Sequence, residues 1–557
     1  MARNTEKKIG ELLLEQGYIN PHQLQEALEE QKTTGEKVGE VLIRKGWLVP
    51  EELNRALALQ LGVSTFDLAN YIVNPQVIET IPQDIAVKYK VIPVFKVGDT
   101  LTVAMIDPGN VFLVDELQRI TNCQVEAVLA DEMTIRKAQD QYYGGAGTIH
   151  DIIASIDKNQ LKEAEKLGDE APVVKLVNLF IVEAVQVNTS DIHFEPEEKF
   201  MNVRYRIDGM LQKHAIIPKD LQPAIISRIK IMSGMDIAEK RLPQDGRILK
   251  KIGNKDIDFR VSSCPTIHGE NIVLRILDKS SMALGMESLG FPKKELAVFE
   301  EIISQPYGIV LVTGPTGSGK TTTLYSALMK INREDINIMT VEDPVEYQFP
   351  QIRQVHVNHK AGLTFASALR SFLRQDPDVI MVGEIRDVET AQIAVQAALT
   401  GHLVLSTLHT NDSPTAFSRL IDMGVEPFLV SSAILGVLAQ RLVRQVCSKC
   451  KELYLPQESL LKALGLRGKV DPDVKFARGN GCKLCNGSGY KGRIGIYELL
   501  KVTPQIEEVV LRSASADEIR EVAKKQGMRT LREAAIDRLL AGETSPEEVM
   551  RITQTIN

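Results

Sequence analysis

The sequence has no long apolar run. No stretch approaches the roughly 18 consecutive apolar residues that a membrane-spanning helix needs. The opening MARNTEKKIGELLLEQG carries charges where a signal peptide needs its apolar centre. We therefore expect a cytoplasmic protein without a transmembrane segment, and any role at a membrane then requires a partner.

A strong excess of one charge is also lacking. Sixty-six Lys and Arg stand against 73 Asp and Glu, which gives a net charge of −7, and no segment is strongly basic. This balance argues against a protein that binds DNA or RNA by bulk electrostatics. The 557 residues predict several domains, three or four at roughly 150 residues each.

Cysteine is scarce, and its placement is informative. Of six cysteines, Cys123 and Cys264 are isolated, and the other four form two C-x-x-C pairs, Cys447 with Cys450 and Cys482 with Cys485. In a reducing compartment such pairs favour a metal over disulfides, and four thiolates suit a closed, structural zinc site. The alternative is a redox role for either pair. The 31 residues between Cys450 and Cys482 exceed the commonest finger spacing, so the insertion at about 445–490 must bulge.

The most informative feature is a glycine-rich run that matches G-x-x-x-x-G-K-S/T. With the next residue, it comprises Gly314, Pro315, Thr316, Gly317, Ser318, Gly319, Lys320, Thr321 and Thr322. An apolar run at 309–312 predicts a strand before it, and the residues after it predict a helix. In that context the backbone amides bind phosphates, Lys320 reaches the β- and γ-phosphates, and Thr321 holds Mg2+. The motif therefore predicts binding and hydrolysis of a nucleoside triphosphate.

Three further segments place polar side chains at predicted strand ends. They are Glu342 and Glu346 in residues 339–346, Glu384 at the Walker-B position after 378–383, and His402 and His409 around the strand at 403–408. Carboxylates beside a phosphate loop orient Mg2+ or an attacking water. Histidines beside the same site are candidate sensors of the γ-phosphate.

These segments carry a family resemblance. TVEDPVEY, LRQDPDVIMVGEIRDVETAQIA and TGHLVLSTLHTN resemble the Asp box, Walker B and His box of the secretion-type ATPases, and the resemblance extends from about residue 171 to the end. It implies a hexameric ring whose subunits have a small N-terminal lobe and a RecA-like lobe, with ATP between them. On this resemblance Glu346 is the general base, with Glu342 or Glu384 as alternatives. Glu384 supports Mg2+ and water, and His402 and His409 are sensors.

The small lobe also resembles the family. The segments SDIHFEP, VRYRIDG and SRIKIMSGMDIAEKRLPQDGRI match it. By this resemblance we expect arginines that reach the γ-phosphate across a lobe or subunit boundary. Arg206 and Arg228 are the first candidates, followed by Arg204 and Arg247. The alternative is that these arginines form ordinary surface ion pairs.

The first sixty residues contain an internal repeat. Residues 8–31 align with residues 37–60 without a gap, and each unit predicts a short helix, a glycine turn and a second helix from Asn20-Pro21 or Val49-Pro50. The repeat resembles the cyclic-di-GMP-binding module at the front of some of these ATPases, although that family favours Arg where Lys8 stands. The candidate ligand contacts are Lys8, Gly10, Leu24, Leu28, Gln31, Lys37, Gly39, Leu53, Leu57 and Gln60. At the two glycines we expect the backbone to approach the ligand; the alternative is a docking surface for a membrane partner.

The expected organisation is a multidomain α/β protein. It comprises a helical repeat at 1–62, a small α/β domain at 63–143, a linker at 144–170, an N-terminal ATPase lobe at 171–285, and a RecA-like ATPase domain at 291–557 that includes the zinc insertion at 445–490.

The resemblance leaves two machines open. GVLAQRLVRQVC and EEVMRITQ favour a type II secretion ATPase, which drives pseudopilus assembly. The N-terminal repeat is shared with type IV pilus assembly ATPases, the alternative. Either machine implies an inner-membrane platform protein and a membrane-anchored adaptor as partners, with no nucleic acid polymer. A scaffold with a dead site is disfavoured by the intact Lys320, Thr321, Glu346 and Glu384, and a DNA translocase or helicase by the charge.

Overall fold

The computed structural model describes residues 8–68, 71, 73–143, 171–278, 285–513 and 515–553. The predicted linker at 144–170 lies outside these residues. The chain divides into two compact units, Met1–Ser280 and Ser281–Asn557. The predicted multidomain α/β fold class is confirmed. No helix among the described residues is long and apolar enough to cross a membrane.

The first unit opens with the two helical repeats. Their helices are α1 (Ile9–Glu15), α2 (Pro21–Thr34), α3 (Val38–Arg44) and α4 (Pro50–Leu61). Gly17 and Gly46 follow α1 and α3 with φ of +70° and +71°, a conformation that glycine adopts without strain. The second helix of each repeat therefore begins where the sequence predicts, at Pro21 and Pro50.

Gly10 and Gly39 are explained by packing within each repeat. A Cβ added at Gly10 would lie 2.6 Å from Leu24, and one at Gly39 would lie 2.7 Å from Leu53. Each glycine therefore lets the first helix of its repeat pack closely on a leucine of the second. This contact, which occurs in both repeats, accounts for the two glycines without a ligand, and their expected place at a ligand stays a prediction.

A small α/β domain follows in the same unit. Its elements are α5 (Pro75–Ile78), α6 (Gln83–Tyr89), β1 (Val91–Val97), β2 (Thr100–Met105), α7 (Val111–Thr121), β3 (Gln124–Leu129) and α8 (Glu132–Tyr142). The sheet has the order β1-β2-β3, antiparallel between the first pair and parallel between the second. The parallel pair requires a crossover, and α7 supplies it.

The rest of the first unit is an antiparallel sheet covered by helices. Its elements are α9 (Ala171–Gln186), β4 (Thr189–Pro196), β5 (Phe200–Ile207), β6 (Met210–Pro218), α10 (Gln222–Met232), β7 (Gln244–Ile252), β8 (Lys255–Thr266) and β9 (Gly269–Asp278). The order is β6-β5-β4-β9-β8-β7. Buried side chains alternate along β4 and β5 and pack against α9 and α10. The other face carries charged residues, among them the candidate arginines Arg204 and Arg206.

The second unit contains a mostly parallel sheet. Its elements up to the last central strand are α11 (Lys293–Ile303), β10 (Gly308–Thr313), α12 (Lys320–Ile331), β11 (Ile338–Glu342), β12 (Ile352–His356), α13 (Phe365–Phe372), β13 (Val379–Val382), α14 (Val388–Leu399), β14 (Leu403–Leu408), α15 (Thr415–Asp422), α16 (Pro427–Ala433) and β15 (Ile434–Val446). With the later strand β18 (Tyr490–Lys501), the order is β12-β11-β13-β14-β10-β15-β18, and only the β15–β18 pair is antiparallel. The carboxyl ends of the parallel strands therefore share one edge, where the phosphate loop leaves β10.

The remaining elements form the cysteine-bearing insertion and the C-terminal helices. They are β16 (Lys451–Tyr454), α17 (Glu458–Leu464), β17 (Phe476–Gly479), β18 (Tyr490–Lys501), α18 (Pro504–Leu511), α19 (Ala516–Lys525), α20 (Leu531–Leu540) and α21 (Pro546–Thr553). Thr503 caps α18 by accepting the Ile506 amide, and Pro504 is the first residue of the helix. Phe476 of the insertion and Leu539 of α20 lie in one hydrophobic cluster, so the insertion and the C-terminal helices share a core.

Candidate active site

The phosphate loop has the conformation that its glycines predict. Gly314, Gly317 and Gly319 have φ of +149°, +78° and +89°. At Gly314 an added Cβ would lie 2.5 Å from the carbonyl oxygen of Gln440, and at Gly319 it would lie 2.8 Å from the Gln440 amide nitrogen. The loop therefore packs closely against β15, and its backbone conformation also favours glycine at these positions. Residues 315–317 remain exposed, as a loop that receives an anion requires.

Lys320 begins α12 and turns back over the loop. Its Nζ donates to the carbonyl oxygens of Gly314 at 2.8 Å and Pro315 at 3.1 Å. Burial lowers the pKa of Lys320 to about 8; the Glu384 carboxylate opposes this shift, and the Arg441 cation adds to it. Thr321, the predicted Mg2+ residue, follows in the first turn of α12 with an exposed side chain.

Glu384 and His409 meet at the same edge of the sheet. Strand β14 lies between β13 and β10, so the residues after β13 and β14 lie beside the phosphate loop. One Glu384 oxygen lies 3.3 Å from His409 Nε2 and 2.7 Å from Arg386 Nε. The structure therefore brings the predicted Walker-B carboxylate and one predicted sensor histidine together beside Lys320.

His402 lies at the opposite end of β14. Its backbone carbonyl accepts from the Gly308 amide, at the start of β10, and its ring Nδ1 lies 2.8 Å from the Ala397 carbonyl at the end of α14. Six strand residues separate it from His409. A γ-phosphate sensor must stand at the carboxyl edge, so the predicted sensor role of His402 does not fit this position.

Glu342 and Glu346 have different surroundings. Glu342 is buried at 4% exposure, and its oxygens accept from Tyr325, from Thr340 at 2.6 Å and from Gln354 at 3.1 Å. A carboxylate held by three donors is suited to a structural role rather than to proton transfer. This environment argues against the predicted catalytic role of Glu342. Glu346 is half-buried, and its backbone amide donates to the Tyr325 hydroxyl at 3.3 Å.

Gln440 and Arg441 of β15 are functional candidates that sequence reasoning missed. Gln440 accepts from Thr323 of α12 at 2.7 Å. Arg441 is 4% exposed and donates to the carbonyl oxygen of Asn411, at 2.7 Å, which links β15 to the segment after β14. Burial lowers the pKa of Arg441. The available signal was a Gln-Arg pair inside the apolar run GVLAQRLV.

The predicted arginines of the small lobe lie in the first unit, where most have acidic neighbours. Arg204 makes two hydrogen bonds of 2.6 Å with Glu195, and Arg247 is paired with Asp258. Arg206 lies 3.6 Å from Asp191. Arg228 lies on α10 with a half-buried side chain. Their roles toward a nucleotide stay predictions.

The four paired cysteines converge. The sulfur atoms of Cys447, Cys450, Cys482 and Cys485 all lie within 4.8 Å of one another. Three of the separations are 3.9 Å, 3.8 Å and 3.7 Å. A tetrahedral ion with Zn–S bonds of about 2.3 Å places its sulfurs about 3.8 Å apart, so the set fits zinc. The hairpin of β16 and β17 absorbs the long spacing between the pairs.

Backbone amides stabilise the thiolate form of one ligand. The amides of Cys482 and Gly489 donate to the Cys485 sulfur at 3.2 Å and 3.3 Å. Burial raises the pKa of Cys485, but these hydrogen bonds, together with those of the Cys482 and Cys450 thiols, outweigh it and bring the pKa to about 6. Such contacts are the outer support that metal thiolates use. The segment around Cys482 and Cys485 therefore has the amide geometry of a metal site.

The ligand candidates of the N-terminal repeat divide by exposure. Lys8, Lys37 and Leu28 are exposed, while Leu24 and Leu53 pack against the core of the repeat. Leu57, Gln31 and Gln60 are half-buried. Together with the packing role of Gly10 and Gly39, this leaves the lysines, Leu28 and the half-buried set as the accessible candidates.

Comparisons with known proteins identify the family. The model of the family described as "Type II/IV secretion system protein" matches residues 166–551. The type IV pilus assembly ATPase PilB of Myxococcus xanthus is 47% identical over 558 residues, 98% of either chain. The type II secretion system protein E of Xanthomonas campestris pv. campestris is 44% identical over 474 residues, 84% of this chain and 83% of that protein.

The chain belongs to the type II/IV secretion system protein family. With its intact phosphate loop, it is an ATPase of that family. The structure of the Yersinia pseudotuberculosis ATPase DotB is similar in fold, with a TM-score of 0.51 and 21% identity over 68% of this chain and 93% of that chain.

A second family model matches part of the N-terminal region. The MshEN domain model covers residues 61–149, which include the small α/β domain. The sequence predicts the cyclic-di-GMP-binding-like module in the repeat at 8–60, whereas this match lies after it. It begins where the second helical repeat ends, so the part played by residues 8–60 in binding a ligand stays a prediction.

Proposed function

We propose that this chain is the ATP-hydrolysing motor of type IV pilus assembly. The observation that supports it best is the similarity to a pilus assembly ATPase over 98% of both chains, front module included. Proteins named for type II secretion reach 44 to 48% identity but cover 72 to 84% of this chain. The sequence motifs favoured type II secretion, and the relatives do not single it out.

The proposed roles at the nucleotide combine the family resemblance with the positions of these residues in the structure. Lys320 and the backbone amides of residues 314–319 bind the phosphates of ATP, and Thr321 holds Mg2+. Glu384, beside Lys320, supports Mg2+ and the attacking water, while His409 orients Glu384. Glu346 removes a proton from the water as general base. Mg2+ supplies charge neutralisation at the β- and γ-phosphate oxygens when it is bound.

The remaining groups support assembly and control. The four cysteines hold a structural zinc ion that keeps the insertion and the C-terminal helices in one body. We propose a homohexamer in which Arg206 and Arg228 reach the γ-phosphate across a boundary. The N-terminal module binds cyclic-di-GMP. An inner-membrane platform protein and a membrane-anchored adaptor bring the motor to the cytoplasmic face of the inner membrane.

Type II secretion is the second candidate, and one experiment separates the two. The gene is deleted in its host, and surface pili and secreted enzymes are each measured before and after complementation. We expect pili to disappear and to return with the wild-type gene, but not with a Lys320→Ala gene. Loss of secreted enzymes with pili retained would overturn the pilus assignment in favour of type II secretion.

A further inference from the structure

A buried tyrosine of the phosphate-loop helix reaches the Asp box. Tyr325 lies on α12, five residues after Lys320, and its side chain is 1% exposed. Its ring packs edge-on against Phe349, with centroids 5.0 Å apart, and against Tyr347, at 6.2 Å. The ring is thereby fixed, and so is the direction of its hydroxyl.

The hydroxyl joins the two glutamates of the Asp box. It donates to a Glu342 carboxylate oxygen, and it accepts from the Glu346 backbone amide at 3.3 Å. Burial and the Glu342 carboxylate both raise the pKa of Tyr325, so the phenol keeps its proton and remains a donor. One side-chain oxygen therefore links the phosphate-loop helix to both acidic residues.

Glu342, at one end of this link, is itself held in place by further hydrogen bonds. Its other oxygen accepts from Thr340 on the same strand and from Gln354 on β12. The Tyr325 hydroxyl is thus held by a fixed carboxylate, and the Glu346 amide in turn donates a hydrogen bond to this hydroxyl. A rigid chain of this kind positions a reacting group to within a fraction of an ångström, which catalysis requires.

We propose that Tyr325 is a positioning residue, which holds the Glu346 segment at a set distance from the phosphate loop through Glu342. The inference rests on the proposed function, in which Glu346 is the general base. A shift of α12 at its phosphate-binding end is then transmitted to the base through one hydroxyl. Removal of that oxygen should leave nucleotide binding and ring packing unchanged, but Glu346 would no longer be held in one position.

The test is Tyr325→Phe in the full-length protein, because Phe keeps the ring contacts and removes only the hydroxyl. We expect kcat for ATP hydrolysis to fall at least tenfold, with KM and the affinity for a non-hydrolysable ATP analogue within twofold of wild type. The matched control is Tyr497→Phe, another buried tyrosine, whose hydroxyl donates to the Leu289 carbonyl. The control should keep kcat within twofold.

Two results would overturn the inference. One is an unchanged kcat in Tyr325→Phe; the other is a parallel loss of turnover and analogue binding, which would mean that the hydroxyl supports the helix rather than the base. A double variant with Glu342→Gln gives a second readout. The combined loss should not exceed the larger single loss, because both changes break one link, and additive losses would count against it. If the wild-type chain itself shows no turnover, the proposed function fails first, and this inference fails with it.

Discussion

The Nζ of Lys320 lies 2.8 Å from the carbonyl oxygen of Gly314, so the phosphate lysine is held by the loop that it serves. Partial burial disfavours the charged ammonium of Lys320 more than the two carbonyl oxygens stabilise it, and its pKa is accordingly low, at about 8. A phosphate oxygen is a stronger partner for the ammonium than a carbonyl, so nucleotide binding raises this pKa.

The first prediction concerns pH. Below about pH 8 Lys320 is protonated before ATP arrives; above it, binding must take up a proton, so affinity falls as pH rises. Calorimetry in two buffers of different ionisation enthalpy should show proton uptake on ATP binding at pH 9 that is absent at pH 6.5. Lys320→Arg stays charged and should lose this pH dependence, whatever its affinity. Equal proton uptake in Lys320→Arg would assign the effect to another group.

The second prediction compares two matched substitutions in the Asp box. Glu346→Gln should keep ATP binding and lose turnover by a factor of about 100 or more, because only the base is removed. Glu342→Gln turns an amide toward hydroxyl and amide donors, so it should lower the free energy of unfolding by about 1–3 kcal/mol and reduce turnover no more than Tyr325→Phe does. Turnover and denaturant unfolding, measured on both, decide the assignment. Wild-type turnover in Glu346→Gln would shift the base to Glu384.

The sequence predicted those parts of the site that are local. The phosphate loop, the strand ends at Glu384 and His409, and the four cysteines needed only neighbouring residues or a recognisable spacing. The opposite positions of His402 and His409 could not be predicted, because a motif gives residue types but not which end of a strand faces the ligand. Arg441 and Tyr325 were missed because their meaning depends on strand order: β15 lies beside β10, and α12 faces the Asp box only in the folded sheet.

The third prediction concerns the metal. Purified protein should contain about one Zn2+ per chain, since the four sulfurs already have tetrahedral spacing. Cys482→Ser should lower the zinc content and the melting temperature and leave ATP-analogue binding in place. Cys264→Ser removes an exposed, isolated thiol and is the matched control. Fresh, chelator-free protein without zinc by elemental analysis would refute the site.

The fourth prediction tests why the repeat keeps its glycines. Gly10→Ala places a Cβ 2.6 Å from Leu24, so it should destabilise the repeat by about 1–3 kcal/mol. Leu24→Ala also costs stability by itself, but in the double variant the two losses should be less than additive, because removal of the leucine relieves the clash. Gly39 with Leu53 should behave alike, because the contact is repeated. Thermal unfolding measures the single and double variants, and a Gly10→Ala protein as stable as wild type would contradict the packing explanation.

The last prediction locates the cyclic-di-GMP site. Titration calorimetry on the full-length chain should show saturable binding, and Lys8→Arg should tighten it, because a guanidinium stacks on guanine and forms paired hydrogen bonds. Leu28→Ala should weaken it, since Leu28 is 41% exposed and its loss leaves the fold intact. Binding that neither variant changes would place the ligand in residues 61–149, where the MshEN model matches. No heat at tens of micromolar ligand, an affinity worth about 6 kcal/mol, would leave the repeat as a docking surface for the membrane partner.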